Sequence, residues 1–297
     1  MRYGIRALTL AIALAGTQAA CERAVGIKVS EGPTLLVVEA RLEVQRQQEL
    51  PSTTQPALQR VSLTTTAPYF RNAPAPPARG AVVQVVDDSG RSIVFPEAAD
   101  APGVYTSTAL AVAVGRRYTL RIQWQGDQYE SSQVVQRAVP IDSLYFVARP
   151  NQSAATGGLR ATLDAKDPPV VRNFYLWEQW INGVRQVSSD TATRTRAVAS
   201  DEILNGRQVL RYQPYGDIRV NPGEVVQLRQ YAISSAAYDY YFAFNGEING
   251  DGSPFAFPGA SLSGNVSNRT NPKKRALGYF IASEYSERIR QVPTAAP

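Results

Sequence analysis

The chain has 297 residues, a formal charge of +6 and 44% hydrophobic residues; it contains no histidine and one cysteine, Cys21. Without histidine there can be no Ser-His-Asp or Cys-His nucleophile system and no histidine-ligated zinc. Any catalysis would depend on carboxylates, tyrosines, lysines or a cation held by oxygen ligands. The basic residues are dispersed along the chain. Because nucleic-acid binding needs a clustered basic face, we expect no nucleic-acid partner.

Residues 1–20 have the organisation of an export signal. Arg2 and Arg6 give a basic start, residues 7–16 are almost wholly apolar, and small residues follow. The apolar run of about ten residues is too short for a bilayer, which takes about 20. Removal of this leader would lower the charge from +6 to +4, because the two arginines leave with it.

Cys21 follows the leader directly, as in bacterial lipoproteins, where the new N-terminal cysteine is acylated. Ala19 and Ala20 fit the small residues of a lipobox, whereas Gln18 departs from the usual Leu-like residue. Two interpretations are open: lipid attachment at Cys21, or ordinary cleavage that leaves a free thiol. Since no second cysteine exists to pair with it, we expect an N-terminal lipid on Cys21. We expect no other cofactor.

The rest of the chain predicts a mainly β fold. In the first half, short alternating strands separated by turn residues predict an immunoglobulin-like or transthyretin-like β-sandwich over residues 21–138. A Gln- and Pro-rich stretch, residues 44–60, predicts a long surface loop. The predicted strands of this half are residues 34–42, 61–66, 80–86, 92–95, 104–106, 118–124 and 128–132.

A second β-rich domain with one short helix is predicted over residues 139–297. Asn182-Gly183 is the strongest hairpin turn, because both positions accept a positive φ. The helix is predicted near residues 234–244, where Tyr238 and Tyr241 have helical spacing behind a serine N-cap. The predicted strands of this half are residues 143–149, 159–164, 173–182, 217–220, 225–233 and 276–290.

Aromatic residues are the candidate ligand or partner contacts. Trp177 and Trp180 lie on the strand over 173–182, and Tyr238 and Tyr241 lie on the helix. They either pack on the sheet as core residues or present a stacking platform.

Glu178 is the best candidate for a catalytic carboxylate, because it stands between two tryptophans on an apolar strand. A retaining glycosidase needs two carboxyl groups facing one sugar, and no mate is near Glu178 in sequence. The alternative is an ion pair with an arginine on a neighbouring strand.

A second cluster of oxygen ligands follows the predicted helix. Asn245, Glu247, Asn249 and Asp251 stand at alternate positions, as at the start of a calcium loop. An EF-hand would need a glutamate at the twelfth position, where Ala256 stands. The cluster is therefore either a calcium site or a turn.

Several phrases occur in a fixed order along the chain: LVVEA at 36–40, TAPYF at 66–70, GAVVQVVDDSG at 80–90, PIDSLYF at 140–146, NFYLW at 173–177, SPFAFPGASLSGNVSN at 253–268 and LGYF at 277–280. In this order they resemble the Bacteroidota lipoproteins of domain of unknown function family 4249. The resemblance implies an outer-membrane lipoprotein encoded beside a TonB-dependent, SusC-like transporter, with a sandwich in its first half. It supplies no catalytic residues.

Our leading hypothesis is a cell-surface lipoprotein of the outer membrane, held by its lipid, that captures or gates substrate for a SusC-like β-barrel. An assembly or adhesion subunit of another envelope complex is the alternative. A carboxylate-dependent hydrolase acting through Glu178 is the third hypothesis. We expect that the protein is not an enzyme.

Overall fold

The fold is built from three β-sheets. Each sheet buries one face, because the side chains of its strands alternate between the two faces. The computed structural model describes residues 32–46, 57–68, 73–148, 158–187, 196–202, 205–248 and 262–294. Residues 34–297 cluster as one unit. The strands of the first half are β1 (Leu36–Gln45), β2 (Gln59–Thr65), β3 (Val82–Asp87), β4 (Ser92–Phe95), β5 (Val104–Ser107), β6 (Arg117–Trp124) and β7 (Asp127–Val134).

The second half contributes nine strands and a helix in the described part of the chain. These are β8 (Ser143–Ala148), β9 (Leu159–Lys166), β10 (Phe174–Ile181), β11 (Val184–Arg185), β12 (Ala197–Ser200), β13 (Gln208–Tyr212), β14 (Val225–Ala232), α1 (Ser235–Ile248), β15 (Ser267–Asn268) and β16 (Leu277–Gln291). No helix among the described residues is long and apolar enough to span a membrane.

The large sheet has eight strands. Seven follow the order β11-β10-β14-β16-β1-β2-β5. The eighth, β12, pairs with β10 along the edge that faces away from β14. At its centre β1 and β16 run parallel, with Val38 opposite Gly278 and Leu42 opposite Ala282. The last strand is therefore central, and the sheet contains strands from both predicted domains. A division near residue 138 stays a prediction.

Two smaller sheets cover the inner face of the large sheet. A five-stranded sheet, β15-β7-β6-β3-β4, packs on one half through buried residues such as Leu120 and Phe280. A three-stranded sheet, β13-β9-β8, packs on the other half through residues such as Leu163 and Leu228. On the outer face, α1 packs over Tyr231 through Tyr241. The result is a sandwich with one helix on its outside.

The predicted mainly β class with one short helix is confirmed. Asn182 and Gly183 have φ of 50° and 79°, so the predicted hairpin turn joins β10 to β11.

Other details of the prediction were wrong. β1 extends to Gln45 and β2 begins at Gln59, so the ends of the predicted loop 44–60 are strands; residues 47–56 lie outside the described residues. The expected strand over 217–220 is one bridge from Val220 to Leu159. The helix continues to Ile248, where we expected a loop.

Candidate functional site

The outer face of the large sheet is where the fold leaves a concave surface. On β1, Val38, Ala40 and Leu42 point into the core. The alternate residues Glu39, Arg41 and Glu43 therefore point outward, because successive side chains of a strand face opposite sides. Helix α1 covers part of this face. The uncovered part is a groove of about 450 Å³, here called the charged groove, lined chiefly by Glu39, Arg41, Glu43, Glu178, Trp180, Arg185, Arg229, Tyr231 and Tyr241.

Glu178 of β10 is the electrostatic centre of the charged groove. Its side chain is 5% exposed. The Arg41 guanidinium donates to both carboxylate oxygens, at 2.7 and 3.0 Å, and Arg185 donates to Oε1 at 2.8 Å. Burial alone would raise the pKa of Glu178, but the charge and hydrogen bonds of Arg41, together with Arg185, outweigh it and lower the pKa to about 2. Glu178 is therefore ionised at neutral pH.

The pair between Arg41 and Glu178 also reports the shape of the sheet. β14 and β16 lie between their two strands. Arg41 lies opposite Ile281, and Glu178 is in register with Glu287, six residues further along β16. On a flat sheet the two Cα atoms would therefore be roughly 24 Å apart, at about 4.8 Å per strand and about 3.3 Å per residue. A bidentate contact across that span requires the sheet to twist or curve. On the way, the Arg41 guanidinium lies over the Tyr231 ring, 4.7 Å from its centroid.

Arg229 of β14 joins the remaining charges. It donates to Glu287 at 2.6 Å and to Glu43 at 3.3 Å, and its guanidinium lies 5.1 Å from the centroid of the Trp180 ring. Burial acts to lower the pKa of Arg229, but Tyr231 and Glu287 outweigh it and keep the pKa above the usual value. The groove therefore has fixed charges of both signs beside an aromatic wall.

An apolar cleft of about 420 Å³ continues the groove beneath α1. Its aromatic lining is Tyr240, Tyr241, Phe244 and Tyr279. Tyr241 and Glu39 line both spaces. Arg196 pairs with Glu39 at 2.8 Å and lies over the Tyr241 ring, so this ion pair stands where the two spaces meet. A ligand with a polar and an apolar part could contact both.

The fold places the four aromatic residues that were predicted as ligand or partner contacts in different surroundings. Trp180 and Tyr241 both line the charged groove. Trp177 is 4% exposed on the inner face, where it packs against the three-stranded sheet. Tyr238 packs on Phe174, with ring centroids 5.4 Å apart, away from the groove. The structure therefore brings two of the four together.

The predicted calcium ligands lie partly in the helix. Asn245 and Glu247 are within α1, and Asn249 and Asp251 lie outside the described residues. The Asn245 amide pairs with the backbone of Arg196, accepting at 3.3 Å and donating at 2.7 Å. Within the described ranges, no three acidic or cysteine side chains are grouped as metal ligands. Cys21 lies outside these ranges.

The alternative predicted for Glu178, an ion pair with an arginine on a neighbouring strand, is confirmed by Arg185 of β11. Sequence reasoning did not identify the other arginines of the groove. Arg41 and Arg229 come from strands that are far apart in the chain, so no local spacing links them to Glu178. One signal was present in β1, where charged residues alternate with buried aliphatic ones. That alternation identifies a charged outer face but not its partners.

The geometry defines a class of protein: a β-sandwich whose larger sheet carries a helix and a charged groove on its outer face. The chain belongs to the family described as domain of unknown function (DUF4249), whose family model matches residues 22–289. This confirms the family that the sequence resembles. No curated protein matches the chain.

Proposed function

We propose that this protein is a lipid-anchored binding protein of the outer membrane that captures or gates substrate for a TonB-dependent, SusC-like transporter. The observation that carries the proposal is the charged groove with its adjoining apolar cleft, about 450 and 420 Å³. Spaces of 300–1,000 Å³ with aromatic walls and a few fixed polar groups are typical of ligand sites.

We propose binding rather than catalysis because of the state of Glu178. A general acid must carry a proton near its working pH, and a carboxylate nucleophile needs an oxygen that is free to reach the substrate. Glu178 has a pKa of about 2, and its two carboxylate oxygens already accept hydrogen bonds from Arg41 and Arg185. A polar ligand could bind by taking over some of these charge-assisted hydrogen bonds, and Trp180 and Tyr241 supply stacking surfaces beside them.

The lipid anchor is tested by Cys21→Ser. We expect the unchanged protein to incorporate a clickable palmitate analogue and to sediment with outer membranes, whereas the variant does neither. Gln18→Leu is the matched control, because it improves the lipobox without touching Cys21. Membrane recovery of Cys21→Ser equal to that of the unchanged protein would contradict anchoring through this residue.

The transporter partnership is tested by gentle detergent extraction and affinity purification of the tagged full chain from its own host. We expect a large β-barrel protein to co-elute in a near-stoichiometric amount. Elution of the protein alone would defeat the partnership. A thermal-shift screen with glycans, peptides and metal chelates separates capture from a purely structural role, because an assembly or adhesion subunit would form a complex without responding to small molecules.

A further inference from the structure

A second, smaller site lies on the inner side of the large sheet. A cavity of about 50 Å³, here called the aromatic pocket, is lined chiefly by Asp167, Tyr175, Trp177, Asp201 and Tyr212. Its mouth lies between β12 and β13, the edge strands of two different sheets. Lining residues of both strands are half-buried, among them Ser200 and Val209, so the pocket opens to solvent.

Two carboxylates reach this pocket from the loops beside β10. Asp167 is 1% exposed and Asp201 is 2% exposed. Asp167 accepts hydrogen bonds from the Tyr175 hydroxyl and the Gly206 N–H. Asp201 accepts one from the Asn173 N–H at 2.8 Å through Oδ2. The Asn173 side-chain amide lies 3.4 Å from an oxygen of each carboxylate, which places the two acids side by side.

These buried acids lack a compensating cation within the described residues, where every ion pair involves other carboxylates. In addition, Oδ1 of Asp201 is buried and has no hydrogen-bond partner among the residues that the structure describes. A buried carboxylate is costly unless it is paired or hydrogen-bonded, and two adjacent ones repel each other. The negative charge of these two carboxylates is therefore not balanced by a cation among the described residues.

The walls of the pocket suit an organic cation. Tyr175 and Trp177 are stacked with centroids 5.4 Å apart, and Trp177 and Tyr212 are 4.9 Å apart. The faces of such rings attract ammonium groups, most strongly where water is excluded. Leu163 and Ala165 add apolar surface, and Ser200 and Gln230 are the other polar residues of the lining.

A metal ion is a poorer match. Calcium takes six to eight oxygen ligands, and magnesium takes six in an octahedral arrangement. The described lining offers two carboxylates, the Ser200 hydroxyl and the Gln230 amide oxygen. Asp167 already accepts from Tyr175 and Gly206, and the Gln230 oxygen already accepts from the Trp177 ring N–H. We propose that the aromatic pocket binds the ammonium group of an aliphatic amine, held by Asp201 and Asp167 beside the Trp177 and Tyr212 rings. The cavity admits the cationic head, and the rest of the amine leaves through the mouth between β12 and β13.

Isothermal titration of the full chain at pH 7 tests this with cadaverine, Nα-acetyl-lysine amide and 1-pentanol. We expect heat from an amine and none from the neutral alcohol; cadaverine distinguishes a free amine from a lysine side chain. Asp201→Asn should weaken amine binding by about tenfold or more, since the negative charge that makes the hydrogen bond to the ammonium charge-assisted is removed. Asp164→Asn is the matched control, because Asp164 lies on β9 and bonds Tyr145 and Ser143 outside the pocket.

A second pair of variants keeps the test valid if Asp201→Asn does not fold. Tyr212→Phe retains the ring and should bind as the unchanged protein does, whereas Tyr212→Leu should bind about threefold to tenfold more weakly. The proposal is overturned if neither amine binds, if Asp201→Asn binds normally, or if calcium gives the Asp201-dependent heat instead. A failure here leaves the co-purification of a transporter unaffected, so the two proposals fail separately.

Discussion

At the scale of single residues, Glu178 shows how a buried carboxylate is stabilised by arginines that donate hydrogen bonds to its oxygens. Glu178→Gln would leave Arg41 and Arg185 facing a neutral amide beneath Tyr231. Removing one member of a buried ion pair typically costs about 3–5 kcal/mol, because the other charge is left without compensation. We expect a loss of this size in the free energy of unfolding, measured by urea denaturation.

The control for this variant is Glu130→Gln. Glu130 pairs with Arg121 and Arg269, but its side chain is 28% exposed and those arginines are more exposed still. Exposed pairs contribute about 0–1 kcal/mol. Equal losses for the two variants would show that the charged groove is not a buried ion-pair site.

Glu178 also predicts an acid dependence. Its folded pKa of about 2 lies below the ordinary value of 4.5. A depressed pKa contributes stability that is present above pH 4.5 and is lost as the pH falls toward 2. The difference corresponds to about 3 kcal/mol. Urea titrations between pH 5 and 2 should show this loss for the unchanged protein and a flatter dependence for Glu178→Gln; parallel curves would contradict the shift.

At the scale of elements, the start of β16 depends on one glycine. Gly278 has a φ of +84°, and a Cβ at this position would lie 2.1 Å from the Val38 carbonyl oxygen of β1. Gly278→Ala therefore adds a backbone clash to an unfavourable φ. We expect it to lower the free energy of unfolding by about 3 kcal/mol or more, measured by chemical denaturation.

Gly115→Ala is the matched control, because Gly115 has a φ of +79° but open space around its Cβ position. It should cost only about 1 kcal/mol, the penalty of the left-handed conformation itself. If the two variants lose the same stability, the close approach of β1 and β16 is not what requires glycine.

The strands that could be predicted are those whose burial follows their own sequence. β6 alternates Tyr118, Leu120, Ile122 and Trp124 inward, so period two identified it. β12, β13 and β15 were missed. Each is short and lies at a sheet edge, so its pairing is set by tertiary neighbours rather than by a buried alternation. The site was harder to predict than the strands, because Arg41 and Glu178 are far apart in the sequence and are brought together only by the order of the strands in the sheet.

At the scale of the whole molecule, the large sheet joins strands of the two predicted domains. β1 loses its pairing with β16 if the chain stops near residue 138, and the core around Leu120 loses Phe280 and Ala282. We expect a fragment of residues 34–138 to lack dispersed amide signals in NMR. Mixing it with residues 139–297 should restore them in part. A folded isolated fragment would show that the predicted boundary is real.

The pairing that joins the two predicted halves could not be predicted from the sequence. Local patterns show where strands are, but the parallel pairing of β1 with β16 joins segments more than two hundred residues apart. Nothing in the alternation of either strand specifies the other. The contacts between the two predicted halves therefore had no local signal.

The pairing of β1 with β16 also sets the order of events when the protein is made. The centre of the large sheet cannot form until the segment that contains β16 has been synthesised, since β16 separates β1 from β14. Long-range pairing of this kind slows folding, because the entropy of closing the loop is lost before the stabilising contacts form. The large sheet therefore stays incomplete, with the β1 edge that faces β16 unpaired, until β16 has been made.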